Sequence, residues 1–214
     1  MQNQDSLDYL AKKVMAILSP GPLSTDPRDE NPPRQAISNE KDFWQKLEKT
    51  FGTIEFKGEN HSFSGTDYYS EEFGLTLERR FISFRGLASP DQLTHWKRAA
   101  AALEADLSAD GKRIYNLDIG YLDVDKLVLA SFKRGPYKLY LGDGVYADLL
   151  LKYSEGSFEP LPWAFPDFQD GRYGKSLLSI RQNLKSDLRK NRAAHIDPSA
   201  SQQGDANVDP KEVK

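Results

Sequence analysis

A chain of 214 residues with 29 Lys and Arg against 32 Asp and Glu carries a formal charge of −3. It is long enough for one domain with tails, and it lacks the basic excess expected of a duplex nucleic-acid binder. Cysteine is absent, which excludes disulfides and thiolate metal sites and fits a cytoplasmic setting. No apolar run approaches the roughly 18 residues of a membrane span, and MQNQDSLDYL lacks the basic and apolar regions of a signal peptide.

In chain order, Leu7 to Leu18 reads two ways. Leu7, Leu10, Val14 and Ile17 recur at helical spacing, yet Val14 to Leu18 is also a compact apolar run suited to a buried strand. The proline-rich stretch 19–38 is loop, because Pro20, Pro22, Pro27, Pro32 and Pro33 break any helix. A helix is expected over Asn39 to Phe51, with Phe43, Leu47 and Phe51 on one face and Gly52 as the stop. Strands follow at Thr53 to Lys57 and Leu77 to Phe84. Ser89, Pro90 and Gln92 then read as a capping box opening a second helix, whose stripe is Leu93, Trp96, Ala100, Leu103 and Leu107.

From Ile114 to Trp163 the chain reads as short strands separated by turns. Gly142-Asp143-Gly144 is a hairpin signal between Lys138–Leu141 and Val145–Tyr153, and Ser154 to Ser157 makes the next turn. A last helix over Lys175 to Arg189 turns Leu177, Ile180, Leu184 and Leu188 inward and Arg181, Lys185, Arg189 and Arg192 outward. From 191 to 214 the composition is polar and reads as a disordered tail. The expectation is an N-terminal extension 1–11, one α+β domain over 12–190 and that tail. The sheet is antiparallel or mixed with about three helices, a ferredoxin-like core extended by a β-meander.

Several segments together carry a family resemblance. They are Thr66-Asp67-Tyr68-Tyr69 with Glu72-Phe73-Gly74, Arg79 to Phe84, Asn116 to Leu122, Leu141-Gly142-Asp143-Gly144 with Tyr146-Ala147, and Leu161-Pro162-Trp163. The chain resembles, over about Lys12 to Leu188, a prokaryotic domain-of-unknown-function family, number 4416. The resemblance implies a strand at Val14 to Leu18. It implies no established activity, although some members carry a GTP-binding label. This chain departs from the family pattern in its proline-rich insertion and in Pro136-Tyr137-Lys138, which replaces a His-Arg pair.

A phosphate loop would justify that label. Gly174-Lys175-Ser176 opens the last helix, but the first glycine of the motif would fall at 169, which is Gln169, and no buried strand precedes it. The three histidines lack metal-ligand spacing, and no Gly-x-Ser-x-Gly elbow occurs. What remains is a set of acids, arginines and tyrosines in the turn-rich segments: Asp67, Tyr68, Tyr69, Arg79, Arg80, Asn116, Asp118, Tyr121 and Asp143. Arginines would take an anion, tyrosines would wall a pocket, and Asp118 with Asp143 would hold Mg²⁺. Arg79 and Arg80 alternate, so only one serves each face of the strand. Two functions follow as expectations. One is a domain that binds a small molecule or nucleotide phosphate, with Mg²⁺-assisted chemistry. The other is a non-catalytic module that meets a protein or RNA through the basic last helix or an open sheet edge.

Overall fold

The computed structural model describes residues 9–20, 40–63, 77–108 and 112–196. In chain order these form β1 (Lys12–Pro20), α1 (Glu40–Phe51), β2 (Ile54–Lys57), β3 (His61–Phe63), β4 (Leu77–Phe84), α2 (Leu93–Asp106) and β5 (Asn116–Leu122). There follow β6 (Lys126–Ser131), β7 (Lys138–Gly142), β8 (Val145–Ser154), β9 (Ser157–Pro160), a single-turn α3 (Pro166–Gln169) and α4 (Gly174–Ile196). The fold is α+β, built on an antiparallel sheet of nine strands in the order β2-β4-β1-β5-β6-β8-β7. β3 lies beside β2 along β4, and β9 beside β7 along β8.

The ambiguous apolar run is a strand, and its place in the sheet explains its composition. β1 sits between β4 and β5, with Ala16 opposite both Phe81 and Asp118. Helices cover both faces there, so Val14 to Leu18 is apolar throughout rather than alternating. Met15 and Ile17 pack with Phe43, Leu47, Ile82, Trp96 and Ile119 under α1 and α2. Val14 and Ala16 pack with Phe81, Leu127, Leu177, Ile180 and Leu184 under α4.

A buried cation ties the α4 side together. Lys12 is fully buried, and its ammonium meets Glu55 at 2.8 Å and Asp187 at 2.5 Å, joining β1, β2 and α4.

The turn chemistry behaves as expected. Asp143 and Gly144 both have positive φ (52° and 75°), which makes the two-residue hairpin turn that matches strand twist. Ser89 has the extended backbone of an N-cap, but its side chain makes no capping bond, and a 3-10 turn at Pro90–Gln92 leads into α2. The capping box is therefore a correct boundary with the wrong hydrogen bonds. α4 runs on to Ile196, past the point at which composition alone ended it. A register slip between Leu127 and Val128 lets Leu150 and Leu151 both join the α4-side core, where strict alternation separates them. No helix among the described residues is long and apolar enough to cross a membrane.

Candidate functional site

The site arises where the sheet comes apart. β5 pairs with β1 over its whole length, from Lys12–Leu122 to Leu18–Asn116. It pairs with β6 only at Gly120–Leu129, Tyr121–Val128 and Leu122–Leu127. Beyond that point β6 stays with β8, and a cleft of about 330 Å³ opens between the two halves.

Splitting a sheet strands backbone groups that must find other partners. Two side chains of α2 supply them. The Leu117 N–H donates to Glu104 Oε1 at 2.5 Å, and the Lys97 ammonium donates to the Leu117 carbonyl at 3.3 Å. Lys97 and Glu104 are seven residues apart, two helical turns, so both project from the buried face of α2. They reach into the split from the opposite side of the sheet.

Arg79 forms the floor. Its guanidinium lies over the Phe63 ring at 4.3 Å and within 5.9 Å of the Phe168 ring. It contacts Asp167 at 2.5 Å and Asp118 at 3.9 Å. The Tyr173 hydroxyl donates to the same Asp167 oxygen at 2.7 Å. Burial opposes the Arg79 charge, but the two aspartates prevail and hold its pKa above the ordinary value. Tyr173 is pushed up by burial and then by Asp167, so it stays a protonated donor. Among the described residues, Arg79 Nε and Asp167 Oδ1 are buried without a hydrogen-bond partner.

One wall continues the polar chain. Asn116 donates to Asp118 at 2.8 Å, Arg113 donates to Asn116 at 3.2 Å, and Lys97 lies 3.7 Å from Asp118. On the other wall Lys138 meets Asp148 at 2.9 Å and Ser131 Oγ at 3.1 Å. Among the described residues, five cationic and four carboxylate side chains line the cleft, and the half-exposed rings of Phe132 and Phe165 stand among its lining. Asp118 is the most accessible of the four carboxylates, with 27% of its side chain exposed.

Glu104 shows what the burial costs. Desolvation raises its pKa above the ordinary glutamate value, while the Leu117 N–H, Lys97 and Arg113 pull it back only in part. A folded-state pKa above the unfolded one means a contribution to stability that is full below the unfolded value. That contribution is lost as pH rises through the folded value. Glu104→Gln keeps an acceptor for Leu117 but cannot ionise. Its melting temperature relative to wild type should therefore climb as pH rises from the ordinary glutamate value, about 4.3. A constant difference above that value would mean that the carboxyl is not penalised by burial.

Of the residues singled out from sequence, the structure brings together Arg79, Asn116 and Asp118. Arg80 lies on the other face of β4, donating to Asn60 Oδ1 with its guanidinium 5.7 Å from the Trp44 ring. Tyr121 faces the α1–α2 core, where burial raises its pKa. Asp143 is exposed at the tip of the β7–β8 hairpin and is absent from the cleft lining. Asp118 and Asp143 therefore form no joint metal site, since Mg²⁺ ligands must all lie about 2 Å from one ion. Asp67, Tyr68 and Tyr69 fall outside the described residues. Sequence reasoning did not select Lys97, Glu104, Arg113, Lys138, Asp148, Asp167 or Tyr173 for the site. The Gly174-Lys175-Ser176 stretch follows the short helix α3 rather than a strand, and Ser176 is buried near Gly58, so it is no phosphate loop.

The profile of the family described as Domain of unknown function (DUF4416) matches residues 34–184, well over half of the chain. The chain belongs to this family. The matched range covers the cleft residues from Arg79 to Tyr173 but not β1, which supplies the sheet's central strand. No curated protein and no solved structure matches.

Proposed function

We propose that this DUF4416 domain binds a small organic anion, of the nucleotide-phosphate class, in the cleft between β5 and β6. The observation that carries this reading is the convergence of Lys97, Arg113, Lys133 and Lys138 on one concave site that also holds two half-exposed aromatic rings. Pockets with an apolar wall and a few convergent charges suit a small molecule with a planar part and a charged part. Asp118 would accept from a ligand hydroxyl or amine. Mg²⁺ fits as an ion brought in with phosphates. Among the described residues no group of three acidic, histidine or cysteine side chains could hold a metal, and Mg²⁺ commonly uses one or two carboxylates plus phosphate and water. The β1-α1-β2-β4-α2-β5 portion reads as a ferredoxin-like core, in which each βαβ unit leaves room for a strand from the other.

The test is a thermal-shift and calorimetric screen against nucleotides and sugar phosphates, with and without Mg²⁺. A ligand at about one hundred times its Kd adds about 2.7 kcal/mol. That should raise the melting point by several degrees in a domain of this size. Lys97→Met should weaken binding about tenfold or more, since the ammonium sits on the cleft wall. Asp118→Ala should remove any Mg²⁺-dependent part, and Lys175→Ala, exposed at the start of α4, should change nothing. Absence of a shift with every compound, in folded protein, would defeat the reading.

The interaction-module alternative draws less from the last helix than its sequence suggests. Arg181 is turned back onto the domain, its guanidinium 3.4 Å from the Tyr153 ring and donating to the Val124 carbonyl at 2.9 Å. The open sheet edge is the stronger feature.

A further inference from the structure

β7 is where the sheet stops. Among the described residues its only strand neighbour is β8, so its outer edge offers backbone donors and acceptors to another strand. Edge strands are ordinarily guarded by outward charge, proline or a covering element. On this edge Leu139, Tyr140 and Leu141 are 72%, 63% and 44% exposed, so apolar groups stand on both faces. The strand's one charge, Lys138, pairs with Asp148 of β8 at 2.9 Å rather than guarding the edge. Tyr137 extends the patch beyond the start of the strand, stacked on Trp163 with ring centroids 4.4 Å apart. Trp163 is anchored by its indole N–H, which donates to the Leu149 carbonyl at 2.8 Å. That carbonyl lies on β8 between the stretches paired with β7 and β9, so the stacked pair caps the gap between them.

We propose that β7 is the pairing edge for a second copy of this chain, joined antiparallel about a two-fold axis near Tyr140. Self-pairing is favoured by the sequence of the edge itself. An antiparallel register about Tyr140 sets Leu139 against Leu141 and Lys138 against Gly142, so no like charges oppose. The flanks carry opposite charge: Lys133 and Arg134 precede the strand, and exposed Asp143 follows it. The same register brings each copy's Asp143 opposite the other's Tyr137, next to that basic flank. A parallel register would set acid against acid and base against base. An interface of this kind is isologous, as a two-fold requires.

Size sets the strength. A register shift between Tyr140 and Gly142 keeps the ladder short, so side chains supply most of the contact. Tyr137, Leu139, Tyr140, Leu141 and Trp163 each expose roughly 100 Å², or roughly 500 Å² per copy. Standard interfaces bury about 800 Å² per partner. The dimer should therefore be concentration-dependent.

Sedimentation equilibrium of the full chain from about 1 to about 100 µM should show a reversible monomer–dimer equilibrium, as expected for a modest interface. Leu139→Asp should weaken it about tenfold or more with unchanged circular dichroism, because the side chain contributes little to the monomer. Arg134→Glu should weaken it a few-fold at low salt and hardly at all at high salt, as a rim charge does. A wild-type monomer throughout the range overturns the proposal. So does a dimer that neither variant affects, since it would use another face.

Discussion

Replacing Arg79 by Met should cost about 3–5 kcal/mol of folding free energy, because it leaves a buried carboxylate with no cation. Asp167 is 4% exposed, and its remaining hydrogen-bond partner among the described residues is the Tyr173 hydroxyl at 2.7 Å. The guanidinium that now neutralises it also lies against Phe63 and Phe168, which shield the pair from water. Chemical denaturation should show the loss directly, and the melting point should fall on the order of 10 °C. Asp167→Asn in the Arg79→Met background should recover part of the stability, since the uncompensated charge is then gone. The double-mutant cycle separates the pair from its surroundings. A single-variant loss below about 1 kcal/mol, the level of an exposed pair, would show that water reaches Asp167.

Much of the frame around this pair was legible in the sequence, for local physical reasons. Leu93, Trp96, Ala100 and Leu103 are all buried on α2, as their spacing requires. The Asp143–Gly144 turn follows from the conformational freedom of its residues. Strand parity separated Arg79 from Arg80 correctly. The cleft was not legible, because it depends on where β5 and β6 part, which is a matter of pairing between segments. One signal was present nonetheless. Lys97 and Glu104 occupy stripe positions of α2, adjacent to Trp96 and Leu103, where an amphipathic helix should be apolar. A charge inside an apolar stripe must meet a partner, and here the partner is the orphaned edge of β5. Asp167 and Lys138 gave no such signal. Each lies in a turn-rich stretch where charged residues are ordinary.

Gly120→Ala should be the most damaging single-atom-scale change at the head of the cleft. Gly120 pairs with Leu129 at the last rung that joins β5 to β6 before they part. A Cβ at this position would lie on the Val128 carbonyl oxygen and 2.9 Å from Leu129 Cα. Both are backbone atoms of the paired strand, so no side-chain rotation relieves the clash. The strands must separate, and the remaining rungs at Tyr121–Val128 and Leu122–Leu127 carry the strain. The expected cost is about 3 kcal/mol or more, at the upper end of overpacking effects. Gly135→Ala is the matched control, because the added methyl meets only the flexible Lys138 side chain at 3.3 Å. It should cost less than about 0.5 kcal/mol, as surface changes usually do. Hydrogen exchange gives the sharper readout. In Gly120→Ala the β5–β6 rungs should lose protection before the β1–β4 ladder does, since opening spreads from the split. Uniform loss across both ladders would mean that the two halves of the sheet unfold as one unit. In that case the cleft would be a fixed feature of the core rather than a seam. Selective loss would make Gly120 the point that sets how far the seam extends, and hence the size of the site that Lys97 and Asp118 share.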